Sequence, residues 1–267
     1  MEITTIMRKF KLMMLLISLI VILSGCSLFV KEVDYQPIAN DMNEENMDRI
    51  LNAVDDGYAE ITHSAFVVTS TAGEKNEIKR EIDKLSFGGI YNTYDNTALG
   101  VGEITFESTV EKNDTVEQIS KENSPEISLN YFENHYKNPE TSEEFDLVFM
   151  VDKLQGIEKV TPERYEYGLD SPPMVSYDLS EHDFNEIIND DLKIDYDVFN
   201  KATIFLELQE KDENFSITRI SLNVTWGKLD NNVLVDYQLN NRVSSTNENV
   251  DAKRKFKQLK EGRLEGN

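Results

Sequence analysis

The chain has 267 residues, of which 27 are Lys or Arg and 50 are Asp or Glu, a formal charge of −23. That balance makes nucleic acid an unfavourable partner, because phosphate binding needs clustered cations. A single cysteine, Cys26, leaves no intrachain disulfide, so the fold must be held by burial alone.

In chain order the first feature is MRKFKLMMLLISLIVILSGC, residues 7–26. Arg8, Lys9 and Lys11 form a basic start, and Leu12 to Leu23 is an apolar run broken only by Ser18. At roughly 1.5 Å per residue a helix of about a dozen residues reaches only about 18 Å, short of the roughly 20 residues a membrane span needs. The layout is that of a secretory signal over residues 1–25. Leu23-Ser24-Gly25-Cys26 resembles the lipobox of bacterial lipoproteins, a branched residue and two small ones before the cysteine. The resemblance implies peptidase recognition through Leu23, Ser24 and Gly25. It also implies a diacylglyceryl group on the Cys26 thiol, with or without an N-acyl chain, and a mature protein on the extracytoplasmic face of the cell membrane. Removal of Glu2, Arg8, Lys9 and Lys11 with the signal leaves 24 cations against 49 acids, a charge of −25. Such a surface favours solubility and disfavours general adhesion of the body to anionic lipid.

Residues 26–42 carry Pro37 and no clear period, and are read as lipidated cysteine plus irregular tether. Residues 43–246 are read as one domain. Met47, Ile50, Leu51 and Val54 predict an amphipathic helix over Asn43 to Tyr58, stopping at Gly57. The β-branched stretch Ile61 to Ser70 predicts a strand, and Ile78, Ile82 and Leu85 predict a helix over Glu74 to Leu85. Gly88, Gly89, Gly100 and Gly102 are assigned to turns leading into a strand at Glu103 to Val110. Ser124-Pro125-Glu126 reads as a helix start, with the helix closing at Pro139; Thr161-Pro162-Glu163 has the same form. Phe145 to Val151 reads as a buried strand, and Ser180 with Asp183 as a third helix start. Ala202 to Glu210, Phe215 to Trp226 and Val233 to Val243 alternate with period two and predict an antiparallel meander. Residues 247–267 form a basic tail, either solvated or a short helix with Phe256 and Leu259 on one side, its cations suited to anionic lipid or wall polymer. The resulting fold class is α+β, with amphipathic helices packed on an antiparallel sheet that ends in a three-stranded meander.

Motifs for chemistry are absent. His63, His135 and His182 have no spacing that brings two to one metal, and each is assigned a structural role. Asp190, Asp191, Asp195 and Asp197 lack the glycine and terminal glutamate of a calcium loop. Gly100-Val101-Gly102 is not followed by the residues of a phosphate loop, and no G-x-S-x-G occurs. No metal, no cofactor beyond the lipid, and no catalysis are therefore expected. Tyr91, Tyr94, Tyr165, Tyr167 and Tyr177 lie near Gly or Pro loops, where core packing is the commoner fate and glycan or protein binding the rarer one.

With its lipobox the chain looks like a small Gram-positive surface lipoprotein. In the element order over residues 174–243 it is loosely similar to the tandem lipoprotein family of low-GC cocci. That likeness implies surface display and no shared catalytic motif. The leading expectation is a noncatalytic lipid-anchored surface protein that binds an envelope or host protein or an envelope polymer. The competing one is a carrier of lipid or a small ligand in an apolar cavity. An envelope hydrolase is a weaker third.

Overall fold

Alternation with period two governs far more of this chain than its three-to-four spacings suggest. The computed structural model describes residues 31–44, 57–73, 77–113, 115–132, 135–145, 147–167, 172–211, 214–229, 233–244 and 252–262. Its strands in chain order are β1 (Lys31–Glu32), β2 (Tyr58–Ala72), β3 (Glu77–Asn92), β4 (Thr97–Lys112), β5 (Thr115–Asn123), β6 (Ile127–Phe132) and β7 (His135–Lys137). They continue with β8 (Glu144–Phe145), β9 (Glu166–Tyr167), β10 (Met174–Leu179), β11 (Val198–Lys211), β12 (Asn214–Lys228) and β13 (Val233–Val243). The helices are α1 (Gln36–Asn43), α2 (Glu181–Phe184) and α3 (Ala252–Lys260), with a further single turn at Asp190–Leu192. One 11-stranded antiparallel sheet runs in the order β10-β11-β12-β13-β2-β3-β4-β6-β7-β8, with β5 also pairing β4; β1 and β9 form a separate pair.

The α+β expectation of helices packed on a sheet is thus overturned: the body is mostly antiparallel sheet. The expected helix at Glu74 to Leu85 is β3 in its described part. Ile78 and Ile82, four apart, share a strand face as readily as a helix face. Unbroken pairing on both sides, Ala72 with Ile78 through Tyr58 with Asn92 and Glu77 with Lys112 through Asn92 with Thr97, decides for the strand. The expected helix from Ser124 is β6 and β7. There the Ser124 hydroxyl accepts from the Ile104 backbone N–H at 3.0 Å, so the group that reads as a helix cap caps a neighbouring strand instead. Phe145 is the last residue of β8, after which Leu147 and Phe149 run extended into a 3₁₀ turn at Met150–Lys153. Residues 161–163 open no helix; Arg164 forms a bridge to Ser176.

The glycines lie inside strands, and the turn is at Thr93–Asn96, where Asn96 takes φ 53°. Gly89 and Gly100 face each other in register. A Cβ on Gly100 would run into the Gly88 carbonyl oxygen and the Gly89 Cα.

Other expectations hold. Ile61 to Ser70 lies within β2, Glu103 to Val110 within β4, and the C-terminal meander forms in register. Ser180 caps α2 in a capping box with Asp183, and the helix continues as a π-turn, Asn185–Asn189. The helix expected at Asn43 to Tyr58 falls mostly outside the described residues. Residues 31–42, expected as irregular tether, hold β1 and most of α1, with Val33, Ile38, Ala39 and Met42 buried. The basic tail contains α3, docked through Ala252 and Phe256.

One sheet face is covered. Ile61, His63 and Ala65 of β2, Phe87 and Tyr91 of β3, Leu129 and Tyr131 of β6, and Leu222, Val224 and Leu239 of the meander belong to the main core or its buried polar lining. Across from them pack α1, Leu147, Phe149, Met150, Leu154, Ile157 and the π-turn residues Ile187 and Ile188. Asn241 pins this cover: its side chain accepts from Met150 N–H at 2.7 Å and donates to the Val148 carbonyl at 3.0 Å. The other face is covered at one end by α3 and otherwise open, and over the meander it is polar, laddered by Thr225 to Asp236 (2.7 Å), Ser221 to Asn240 (2.8 Å) and Thr203 to Asp178 (2.9 Å). Beyond the core the far halves of β3 and β4 and all of β5 form an arm; every residue of β5 is exposed. Its pairing is supported by Arg80 with Glu111 (2.5 Å) and, more loosely, Lys121 with Glu107 (3.7 Å).

Candidate functional site

Because Ala59, Ile61, His63 and Ala65 turn to the core, Thr62, Ser64 and Phe66 must turn to the open face. Register carries this across the sheet: Thr62 faces Gly88, Ser64 faces Ser86 and Phe66 faces Lys84, and in turn Gly88 faces Val101 and Ser86 faces Glu103. These residues line an open groove of about 340 Å³, closed on one side by Glu126. Gly88 forms its floor, and a Cβ there would meet nothing within 4 Å. A side chain at that position would therefore fill the groove. Lys84 Nζ lies 5.4 Å from the Phe66 ring centroid, a cation over an aromatic face. Ser86 donates to the Glu103 carbonyl at 3.3 Å. The lining thus offers hydroxyls, two carboxylates, one ammonium and a strip of apolar surface, a mixed set suited to holding a polar partner.

Directly behind the groove floor lies an aromatic cluster. The Tyr136 hydroxyl is hydrogen-bonded to His63 Nδ1, and the imidazole stacks on Phe149 with centroids 4.9 Å apart and planes at 25°. Phe87 packs 4.9 Å from Tyr136, and Tyr131 lies at the same distance from Tyr136. His63 Nε2 is buried with no partner, and burial holds the imidazole pKa down to about 3. It stays neutral across the physiological range and is buried at the groove's inner wall, so its position suits packing. Burial likewise raises the Tyr177 hydroxyl well above its ordinary value.

Cys26, Leu23, Ser24 and Gly25 lie outside the described residues. Of the histidines, His63 is in the core while His135 and His182 are exposed, with His182 3.2 Å from Glu186. Asp195 pairs with Lys228 at 2.7 Å and Asp197 accepts from the Leu229 N–H at 2.8 Å, so these two brace a strand end. Among the described residues no group of three His, Cys, Asp or Glu side chains stands together as a metal site. Tyr91 and Tyr177 are core, Tyr165 is half-buried 5.2 Å from Tyr35, and Tyr94 is exposed. Tyr91, Tyr94, Tyr165 and Tyr177 do not line the groove; of its lining the sequence reading singled out His63, as structural, and Gly88 and Gly102, as turn residues. The available signal was the alternation of Thr62, Ser64 and Phe66 within a strand already recognised.

A family profile described as "Domain of unknown function (DUF3952)" matches residues 21–124, which reach from within the N-terminal apolar run through β5. No curated protein matches the chain. Among solved structures it is similar to a chain titled "Lipid-protein interactions in lipovitellin", with 6% identity and a TM-score of 0.34. That match covers 72% of this chain and 25% of the other, so the chain spans about a quarter of that protein's length. The ywiB protein from Bacillus subtilis matches at 9% identity and a TM-score of 0.17, over 73% of this chain and 97% of its own.

Proposed function

We propose that this is a noncatalytic, lipid-anchored protein of the extracytoplasmic membrane face that binds an envelope or host protein through the open face of its sheet. The observation that carries the reading is the division of the two faces. The covered face is packed with the chain's own Phe149, Met150, Leu154 and Ile157, all buried. The open face offers a solvent-facing groove of about 340 Å³ with a mixed polar lining and a bare glycine floor. Recognition of a protein surface uses such a combination of polar groups around a small apolar strip. The lipobox resemblance at Leu23 to Cys26 supports the anchor, and the buried, neutral His63 supports binding without proton transfer.

The test is photocrosslinking on intact cells from a reactive side chain at Ser64, compared with one at Asn223, which lies on the same face two strands away in the meander. A discrete crosslinked band from Ser64 and none from Asn223 supports the reading. A stoichiometric lipid that leaves on denaturation in native mass spectrometry, with no crosslinked protein, replaces it with the carrier.

A further inference from the structure

Helix α3 stands apart from the main core. Ala252, Phe256 and Leu259 rest on Tyr58, Ile90 and Leu99 of the open face. With those three turned to the sheet, Lys253, Lys257 and Lys260 fall in one row along a flank, at spacings of four and three, and all three are exposed. Lys253 Nζ lies 5.9 Å from the Tyr58 ring centroid, and Lys257 reaches Glu261 only at 4.0 Å. Lys255, on the other flank, is taken by Glu60.

The same end of the sheet carries two exposed aromatics. Tyr94, in the β3–β4 turn, is 76% exposed and stands edge-on to Tyr58 at 6.1 Å. Phe132, which ends β6, is 55% exposed and points to the open face because its neighbour Tyr131 points to the core. The chain also enters at this end. β1 lies antiparallel to β9, and β9 continues from the Arg164–Ser176 bridge toward the Met174 end of β10. Through Glu207, Arg219 and Arg242, Met174 is level with Thr62, near the start of β2. Lys31 follows Cys26 by only five positions.

We propose that this corner, the lysine row of α3 with Tyr94 and Phe132, rests on a bilayer bearing anionic lipid headgroups, as a membrane contact separate from the Cys26 anchor. Charge complementarity is local: at physiological salt fields decay over about 8 Å, so carboxylates farther off than that are screened from the row, and Glu261 beside Lys257 offsets part of its charge. Each lysine near an anionic leaflet strengthens partition by roughly five-fold, and aromatic rings at a headgroup boundary add to that. The arm then projects away from the bilayer.

Every described element lies within residues 31–262, so the chain from Cys26 onward, made without lipid, is the material to test. It is sedimented with vesicles of phosphatidylcholine alone and with added phosphatidylglycerol, at physiological salt. Binding is expected only with phosphatidylglycerol, reduced roughly 100-fold in the triple variant Lys253→Gln, Lys257→Gln, Lys260→Gln and several-fold in Tyr94→Ala, with circular dichroism unchanged. No phosphatidylglycerol-dependent binding, or a triple variant that partitions like the parent, overturns the proposal. So does equal affinity for a soluble glycerol-phosphate polymer, which would assign the row to free phosphodiester. The lipid on Cys26 plays no part in this assay, so the anchor and the partner reading stand or fall separately.

Discussion

Two glycines twelve positions apart in sequence, and diagonal across one strand pair, should respond to alanine with opposite signs. At Gly100 a methyl group runs into the Gly88 carbonyl oxygen and the Gly89 Cα. Both obstacles are backbone, in a strand paired on both sides over its whole length, so β3 and β4 must separate locally. Overpacking of this kind costs about 1–3 kcal/mol. At Gly88 the methyl enters open groove and meets nothing within 4 Å. There the change mainly restricts the unfolded chain and gains about 0.5–1 kcal/mol. For a chain of this size each kcal/mol moves Tm by roughly 2–4 °C. Gly100→Ala is therefore expected to melt roughly 2–12 °C below the parent and Gly88→Ala roughly 1–4 °C above it, by circular dichroism at fixed pH and salt. The same Gly88→Ala protein should lose the Ser64 crosslink, because its methyl occupies the groove floor. Equal destabilisation by the two variants would refute the register and the groove together.

Protonation of His63 offers a second handle. The folded imidazole takes a proton only near pH 3, whereas the unfolded one does so near 6.5, so the unfolded state binds more protons below 6.5. Its contribution is complete above that pH and drains as pH falls toward 3, by up to about 1.4 kcal/mol per unit. Between pH 6.5 and 5 the urea-derived stability should drop by about 2 kcal/mol from this group, and the double variant His63→Leu, Tyr136→Phe should lack that part of the slope; an identical slope in both proteins would count against a buried neutral histidine. Asn241→Ala strands the Met150 N–H and the Val148 carbonyl in the core and should cost about 2–4 kcal/mol, read as a lower urea midpoint at constant m. Phe256→Ala should leave the main melting transition nearly unchanged while amide exchange in α3 accelerates, since that helix packs on a cluster separate from the main core.

Legibility in the sequence followed the number of competing signals at each place. The meander was readable because Ile204, Leu206 and Leu208 alternate with Phe205, Glu207 and Gln209 and short turn-rich links join the strands. Ser180 and Ser124 carry similar helix-start signatures with different outcomes. Asp183 returns the bond to Ser180 and closes a box within four residues, whereas the Ser124 hydroxyl is claimed by Ile104, twenty positions back. Ile127, Leu129 and Tyr131 hold a two-residue spacing that fits a strand, masked by a proline-capped start. Ile78 and Ile82 satisfy both periods, and only pairing with two distant strands separates them. The groove was invisible for the same reason: its lining comes from β2, β3, β4 and residue 126, which only the register brings side by side.

The sheet is continuous because β13 pairs with β2, joining Ile61 to Val243 and Thr71 to Val233. That seam sets the order in which the fold can close. A chain made from its N-terminus completes the β2–β3–β4 hairpins long before residue 233 exists, and through that interval the middle of the finished sheet is an edge. Its bare N–H and C=O groups run beside Val67, Val68, Thr69 and Thr71, a β-branched row of the sort that recruits strands from other molecules. Closing the seam needs contacts between parts of the chain far apart in sequence, the slowest kind to form. A stop codon anywhere before β13 thus yields a fragment that aggregates through β2, and a peptide copying β13 is the reagent that should keep it soluble.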